Sequence, residues 1–377
     1  MTNLYKGIAL QDKVDIMKER RPTPVILDCD PGHDDAFAIV LAAFSPEELS
    51  LLAITTVSGN QSLEKTTLNA LRILHACGFQ ENSIPVAKGA SAPLMLPELA
   101  QPKSQEESIS LIVSTHYDTS YHQPLVGRHP VEVHGESGMD GAEFPSTVIP
   151  KLDQRKAWNL MADIVQLYSP EFPLTIIATG PLTNIALFVT LYPELRRNIR
   201  IVFMGGTFER GNIHPTAEFN ILHDPEAAHI VFHCGVSLTM VPLDLTHQVL
   251  VTQDILGRIH ALNTPFAKNM AGLVEFFRNS YQKTFGFASP PLHDPCAVAY
   301  VLDASRFETQ LIRVEVETGK GLCAGQTVGD FYGRYLRKPK NVNVVQKMDI
   351  EWFWHRMLQS LTKANEQSPL NKNVNSS

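Results

Sequence analysis

The most constraining feature of this 377-residue chain is the run Pro24-Val-Ile-Leu-Asp-Cys-Asp-Pro-Gly-His-Asp-Asp-Ala36, in which an apolar stretch passes through four acidic residues into a second apolar stretch. Val25, Ile26 and Leu27 form a short, β-branched-rich run of the kind a parallel sheet buries on both faces. Asp28 and Asp30 are therefore expected at the C-terminal end of a strand, the edge at which open α/β sheets bind ligands. Pro31-Gly32 signals a turn. Asp34 and Asp35 then fall at a helix N-terminus, where negative charge and capping oxygens are favoured. Carboxylates packed this closely repel one another when buried, and a hard, oxygen-preferring cation such as Ca²⁺ or Mg²⁺ resolves the conflict.

Two other readings stay open at this level. Asp34 could simply cap the helix while Asp28 and Asp30 are solvated loop residues. The Asp-x-Asp pattern also resembles phosphatases of the haloacid dehalogenase type, although these usually carry Thr or Val where Pro31 stands, and no convincing later acidic motif follows.

A net charge of -7 with dispersed Lys and Arg argues against nucleic acid or an anionic membrane as the main partner. The five cysteines, Cys29, Cys77, Cys234, Cys296 and Cys323, are odd in number, widely spaced and in mostly apolar settings, so they read as reduced, packed thiols. No N-terminal stretch resembles a signal peptide, and the longest apolar run, Ala36 to Phe44, is far short of the ~20 residues that span a bilayer. The expected compartment is the cytoplasm, with the nucleus as the second choice.

Residues 1–22 are polar and lack periodicity, so they read as an extension ahead of a domain spanning 23–362. Leu51 to Val57 is a second buried-strand pattern, followed by Ser58-Gly59-Asn60 and a helix from about Ser62 to Cys77. Pro85 to Ala87 reads as a third short strand. Between residues 97 and 123 the pattern fails, as expected of a long surface insertion. Helical periodicity resumes at Ala157 to Tyr168, and Leu174 to Ala178 is a strand entering Thr179-Gly-Pro-Leu-Thr-Asn184. Ile201 to Met204 is another, opening into Gly205-Gly206 and a polar series that includes Asn212, His214, Glu218, Asn220, His223 and Asp224. A helix over 225–234, a strand over 237–241 and one long helical region from about Gln253 to Phe285 follow. Strands near 310–317, 327–333 and 343–346, a helix from Asp349 and a polar tail over 363–377 complete the chain. The alternation predicts one α/β domain with a mostly parallel, Rossmann-like sheet covered by helices.

Five motifs fall in order: Asp28-Cys-Asp-Pro-Gly-His-Asp-Asp35, Thr179-Gly-Pro-Leu-Thr-Asn184, Met204-Gly-Gly206, Ala217-Glu-Phe-Asn220 and His293-Asp-Pro295. Together they closely resemble the inosine-uridine preferring nucleoside hydrolases over roughly Pro24 to Trp354. The N-terminal extension and the 97–123 insertion depart from the compact bacterial pattern and resemble fungal uridine nucleosidases. The resemblance implies hydrolysis of the N-glycosidic bond of ribonucleosides to ribose and free base in nucleoside salvage, with one Ca²⁺ in the pocket and assembly as a homodimer or homotetramer. It favours uridine, with cytidine, inosine and nicotinamide riboside as further substrates.

By the same resemblance, Asp30, Asp35, Asp294 and the backbone carbonyl of Thr179 hold the ion, and Asp30 takes a proton from the attacking water. Asp34, Asn60, Asn212, Glu218 and Asn220 match ribose-binding positions, Met204 packs near the sugar, and Asn220 joins Asp30 and His293 as catalytic. His293 corresponds to the proton donor for the leaving base. His134, in a glycine-rich loop, matches a second base-side histidine; Tyr281 and Phe285, one helical turn apart, are expected as an aromatic wall. Phe219 lies in the Glu-Phe-Asn segment. Taken alone, Asn60 could be a turn residue, Met204 plain core, and His293 a loop histidine with its bonds satisfied. Two other functions are weighed against this one: the phosphatase above, and a catalytically silent nucleoside-binding protein. The latter would have lost a metal acid or the base, and no such loss is visible.

Overall fold

A computed structural model describes residues 21–80, 83–95, 129–144 and 152–375. The expected 97–123 insertion, and the extension apart from residues 21 and 22, lie outside them. Strand β1 (Thr23–Cys29) is followed by helix α1 (His33–Ala43), β2 (Leu49–Thr56), α2 (Leu63–Ala76) and β3 (Val86–Lys88). After the short α3 (Val131–His134) come α4 (Ala157–Val165), β4 (Leu174–Ala178), α5 (Thr183–Leu191) and β5 (Ile199–Met204). The chain continues through α6 (Phe219–His223), α7 (Pro225–His233), β6 (Ser237–Val241), α8 (Leu243–Thr246), α9 (Gln253–His260), α10 (Pro265–Phe285) and α11 (Pro295–Leu302). It closes with β7 (Phe307–Val316), β8 (Thr327–Asp330), β9 (Val342–Met348) and α12 (Ile350–Gln367).

The strands form one nine-stranded sheet in the order β3-β2-β1-β4-β5-β6-β9-β7-β8. From β3 to β9 every pairing is parallel, and only β7 runs the other way, pairing antiparallel with both β9 and the edge strand β8. Both faces of the parallel part are covered, which is why Val25, Ile26 and Leu27 of β1 are apolar in succession rather than alternately. Val25, Leu27 and Cys29 pack into one buried cluster with α1, α2 and α11, while Ile26 faces the other with α4, α5 and α7. Ala36 through Ala42 of α1 are buried, because that helix lies between the sheet and both α11 and α12. This is the single α/β domain the alternation predicts.

The chain builds outward from β1 in one direction through β2 and β3, then returns to build β4, β5 and β6 on the other side. The strand order therefore reverses between β1 and β4. At such a switch point the two following loops diverge and leave a crevice at the C-terminal edge. Asp28 of β1 is in register with Ala178 of β4, so Asp30 and Thr179 emerge side by side into it.

Three local expectations are revised. The long helical region is two helices, since Asn263 takes a positive φ of 49° and Thr264 caps a new helix that begins at Pro265. The segment expected as a tail from 363 continues α12 to Gln367, with Ala364 buried, and Asn371 accepts a bond from the Phe266 amide. All five cysteines are free as expected, but Cys323 is exposed rather than packed. Among the described residues no helix is long and apolar enough to cross a membrane.

Candidate functional site

The crevice opens into a cavity of about 520 Å³, including its mouth. Its floor is acidic. Asp34, Asp35 and Asp294 are buried, and each offers an oxygen within 4.8 Å of the others. Asp34 and Asp35 come from the first turn of α1, and Asp294 immediately precedes α11, so two helix N-termini aim at one point. That placement eases, without cancelling, the repulsion among the carboxylates. Burial pushes Asp34 up to about 7 and lifts Asp294 well above the carboxylate range, with Asp34 and Asp35 adding to the rise at Asp294. A buried all-oxygen trio of this kind is suited to a hard cation.

Asp30 lies beside this trio rather than within it. Its Oδ2 accepts the backbone N–H of Asn60 at 2.7 Å, while its buried Oδ1 has no partner among the described residues. A Cβ at Gly59 would stand 2.0 Å from Oδ2, and one at Gly180 would stand 2.5 Å from Oδ1. Only glycine leaves room for the carboxylate at both positions. Burial first, then Asp35, raises its pKa well above the ordinary value. The expected ion-holding set of Asp30, Asp35 and Asp294 thus differs from the converging trio, in which Asp34 replaces Asp30. Asp28, the fourth acid of the motif, turns into the sheet, where Thr55 Oγ1 and Asn184 Nδ2 donate to it at 2.6 and 2.8 Å.

Asp35 accepts from the Gly32 amide at 3.0 Å, from Thr179 Oγ1 at 2.8 Å and from Asn60 Nδ2 at 3.3 Å. Asn60 is therefore more than a turn residue, since it ties two acids together. Asn220 Nδ2 donates to the carbonyls of Thr179 and Met204 at 2.9 and 3.1 Å, and all three residues line the cavity. Glu218 caps α6 and accepts the amides of Gly206, Asn220 and Ile221 at 2.8, 2.8 and 3.2 Å. Burial nevertheless pushes it up to about 7. Asn212 accepts from the Phe219 amide at 2.9 Å, which fastens the loop before α6 across the cavity. Met204 is buried yet lines the cavity.

The opposite wall is aromatic. Phe277, Tyr281 and Phe285 of α10 line it with Val133 and His134 of α3. Tyr281 is not only a wall, for its hydroxyl lies 2.7 Å from Nε2 of His293, and His293 Nδ1 lies 2.7 Å from Thr246 Oγ1. Both His293 nitrogens are thus engaged by hydroxyls. Burial holds His293 and His134 well below the usual imidazole value and His33 at about 4. His134 meets His33 at 3.2 Å between Nδ1 atoms.

Every expected site residue from Asp30 to Asp294 other than Asp35 and Asp30 lines the cavity directly, and those two lie beneath it. Residues not anticipated are Phe277, Thr246 and His33. Phe277 was legible, since it stands four residues before Tyr281 on the same helix face. Thr246 and His33 were not, because their partners lie 47 and 101 residues away in the chain.

Residues 25–355 match the family model for inosine-uridine preferring nucleoside hydrolases. The chain is 39% identical over 347 residues to an inosine-uridine preferring nucleoside hydrolase of Crithidia fasciculata, covering 91% of this chain and 98% of that protein. It is 41% identical over 342 residues to a pyrimidine-specific ribonucleoside hydrolase of Shewanella sp. strain ANA-3, covering 90% and 96%. Among solved structures, one described as a plant nucleoside hydrolase aligns with a TM-score of 0.76 at 30% identity, over 90% of this chain and 99% of that one. With the buried acids, the polar loop before α6 and the aromatic wall in one crevice, the chain belongs to the inosine-uridine preferring nucleoside hydrolase family, and it is a nucleoside hydrolase.

Proposed function

We propose that this enzyme cleaves the N-glycosidic bond of ribonucleosides with Ca²⁺ as its ion and uridine as its preferred substrate. The observation that carries the reading is the buried, unpartnered Oδ1 of Asp30 beside three converging carboxylates, directly below a polar and aromatic cavity. Asp35, Asp294 and the Thr179 carbonyl would hold the ion together with Asp30, with Asp34 close by. A divalent cation there offsets the carboxylate charge and lowers the pKa of an adjacent water.

Asp30 takes the proton as water attacks C1′ of the ribose, and the C1′–N bond breaks with its electron pair leaving on the base. Asp34, Asn60, Asn212, Glu218 and Asn220 hold the ribose hydroxyls, and Met204 packs beneath the sugar. Fixing the ring in this way supplies much of the rate through orientation, and favours an oxocarbenium-like transition state. The base lies against Phe277, Tyr281 and Phe285. The Tyr281–His293 pair supplies a proton to the departing base, since the phenol hydroxyl lies 2.7 Å from His293 Nε2 and both residues line the cavity.

One of the relatives above is described as pyrimidine-specific and the other as inosine-uridine preferring, and uridine is the pyrimidine nucleoside compatible with both descriptions. The test is base release across uridine, cytidine, inosine and nicotinamide riboside, before and after chelation and Ca²⁺ restoration. Fastest release from uridine, lost on chelation and regained with Ca²⁺, supports the reading. Phosphate release from sugar phosphates with uridine left intact would replace it with phosphatase chemistry.

A further inference from the structure

His33 directly precedes the acid pair of α1, yet neither of its hydrogen bonds goes to a carboxylate. Its buried ring lies parallel to those of Phe276 and Phe277, with centroids 5.2 and 5.3 Å away. Nε2 is 2.8 Å from the backbone carbonyl oxygen of Asp140, and Nδ1 is 3.2 Å from Nδ1 of His134. A carbonyl oxygen only accepts, so the single proton of a neutral His33 ring sits on Nε2. Nδ1 is left as a lone pair, and the contact to His134 is a hydrogen bond only if His134 donates from its own Nδ1.

That donation settles the second ring. A neutral His134 with its proton on Nδ1 presents Nε2 as a lone pair, and this nitrogen has no hydrogen-bond partner among the described residues while the ring lines the cavity. The approach leaves little slack, since a Cβ at Gly32 would come within 2.7 Å of His134 Nδ1. The opposite arrangement would set the lone pair of His33 Nε2 against the Asp140 carbonyl, leaving a buried acceptor unsatisfied.

We infer that His33 is a positioning residue: through a chain of fixed tautomers anchored on the Asp140 carbonyl, it makes His134 a hydrogen-bond acceptor that selects leaving bases offering an N–H. The imide N–H of a uracil ring or the ring N–H of hypoxanthine meets this requirement. A base that turns only acceptors toward His134 sets lone pair against lone pair. The kinetic half of the inference rests on the nucleoside hydrolysis proposed above, whereas the tautomer half does not.

The experiment uses the full-length enzyme with ¹⁵N-labelled histidine, the His134 ring signals being assigned by their loss in His134→Gln. His33→Phe keeps the stacked ring but removes the acceptor, and His33→Asn places a carbonyl oxygen near the position of Nδ1. The wild type should show His134 as the Nδ1–H tautomer, His33→Phe should convert it to Nε2–H, and His33→Asn should preserve Nδ1–H. In parallel, His33→Phe should lower the ratio of kcat/KM for uridine to that for p-nitrophenyl riboside about tenfold, the scale of one lost hydrogen bond, with partial recovery in His33→Asn. An Nε2–H tautomer in the wild type, a His134 ring indifferent to His33→Phe, or equal losses on both substrates would overturn the inference. A tautomer shift in a protein that cleaves no nucleoside would support the tautomer chain and overturn only the substrate reading.

Discussion

The hydroxyl of Tyr281 lies 2.7 Å from Nε2 of His293, whose other nitrogen is 2.7 Å from Thr246 Oγ1. Tyr281 and His293 both line the cavity, and in the mechanism proposed above the pair supplies the proton to the leaving base. Tyr281→Phe removes the hydroxyl of this pair and keeps the aromatic ring of the wall. It should lower kcat/KM for uridine by about a hundredfold, within the usual range for a proton donor, and that for p-nitrophenyl riboside far less, because nitrophenolate departs unprotonated. Steady-state kinetics on both substrates check this, and His293→Ala should show the same asymmetry.

The two glycines that flank Asp30 supply a steric test of its placement. Gly180→Ala would bring a Cβ to 2.5 Å from Oδ1 and Gly59→Ala one to 2.0 Å from Oδ2, well inside contact distance. Each should cost about 1–3 kcal/mol of stability through overpacking. Each should also lower kcat more than it raises KM if Asp30 is the proton acceptor proposed above, because Asp30 shifts while the polar loop before α6 does not. Thermal unfolding and initial rates report the two effects separately.

Much of this arrangement is legible in the sequence, for stated reasons. Consecutive rather than alternating apolar residues mark a strand covered on both faces, and Val25–Leu27 of β1, Ile176–Ala178 of β4 and Ile201–Met204 of β5 carry that pattern. The acids then fall where such strands end. What the sequence does not carry is which carboxylate faces which partner. Asp28 and Asp30 are two residues apart and chemically alike, yet Thr55 and Asn184 draw one into the sheet while Asn60 holds the other at the cavity floor. Likewise, Asn263 and Pro265 mark the break before α10, but the periodicity of the flanking segments masks it. His33 carries no sequence signal of its placement, because its partners Asp140 and His134 are both more than a hundred residues away.

Glu218 gives a prediction in pH. Burial raises its folded value to about 7 from 4.5, so the folded state holds its proton more tightly than the unfolded chain. The corresponding stability is fully present below pH 4.5 and is lost as pH rises toward 7. The amount at stake is at most about 3 kcal/mol. Glu218→Gln should therefore flatten the decline in melting temperature between pH 4.5 and 7, and should raise KM through the loss of a ribose contact. Melting curves across that range, with wild type and variant side by side, measure it.

The role proposed for Asp30 is to accept the proton of the attacking water while helping the neighbouring acids hold the ion. The most direct measurement is the turnover of Asp30→Asn on uridine at saturating Ca²⁺, alongside uridine affinity from calorimetry. The expected result is a correctly folded enzyme that binds uridine within about tenfold of the wild type while kcat falls roughly a thousandfold or more, since the variant loses the proton acceptor and one of the charges that hold the ion. An Asp30→Asn enzyme that turns over uridine within tenfold of the wild-type rate would contradict it.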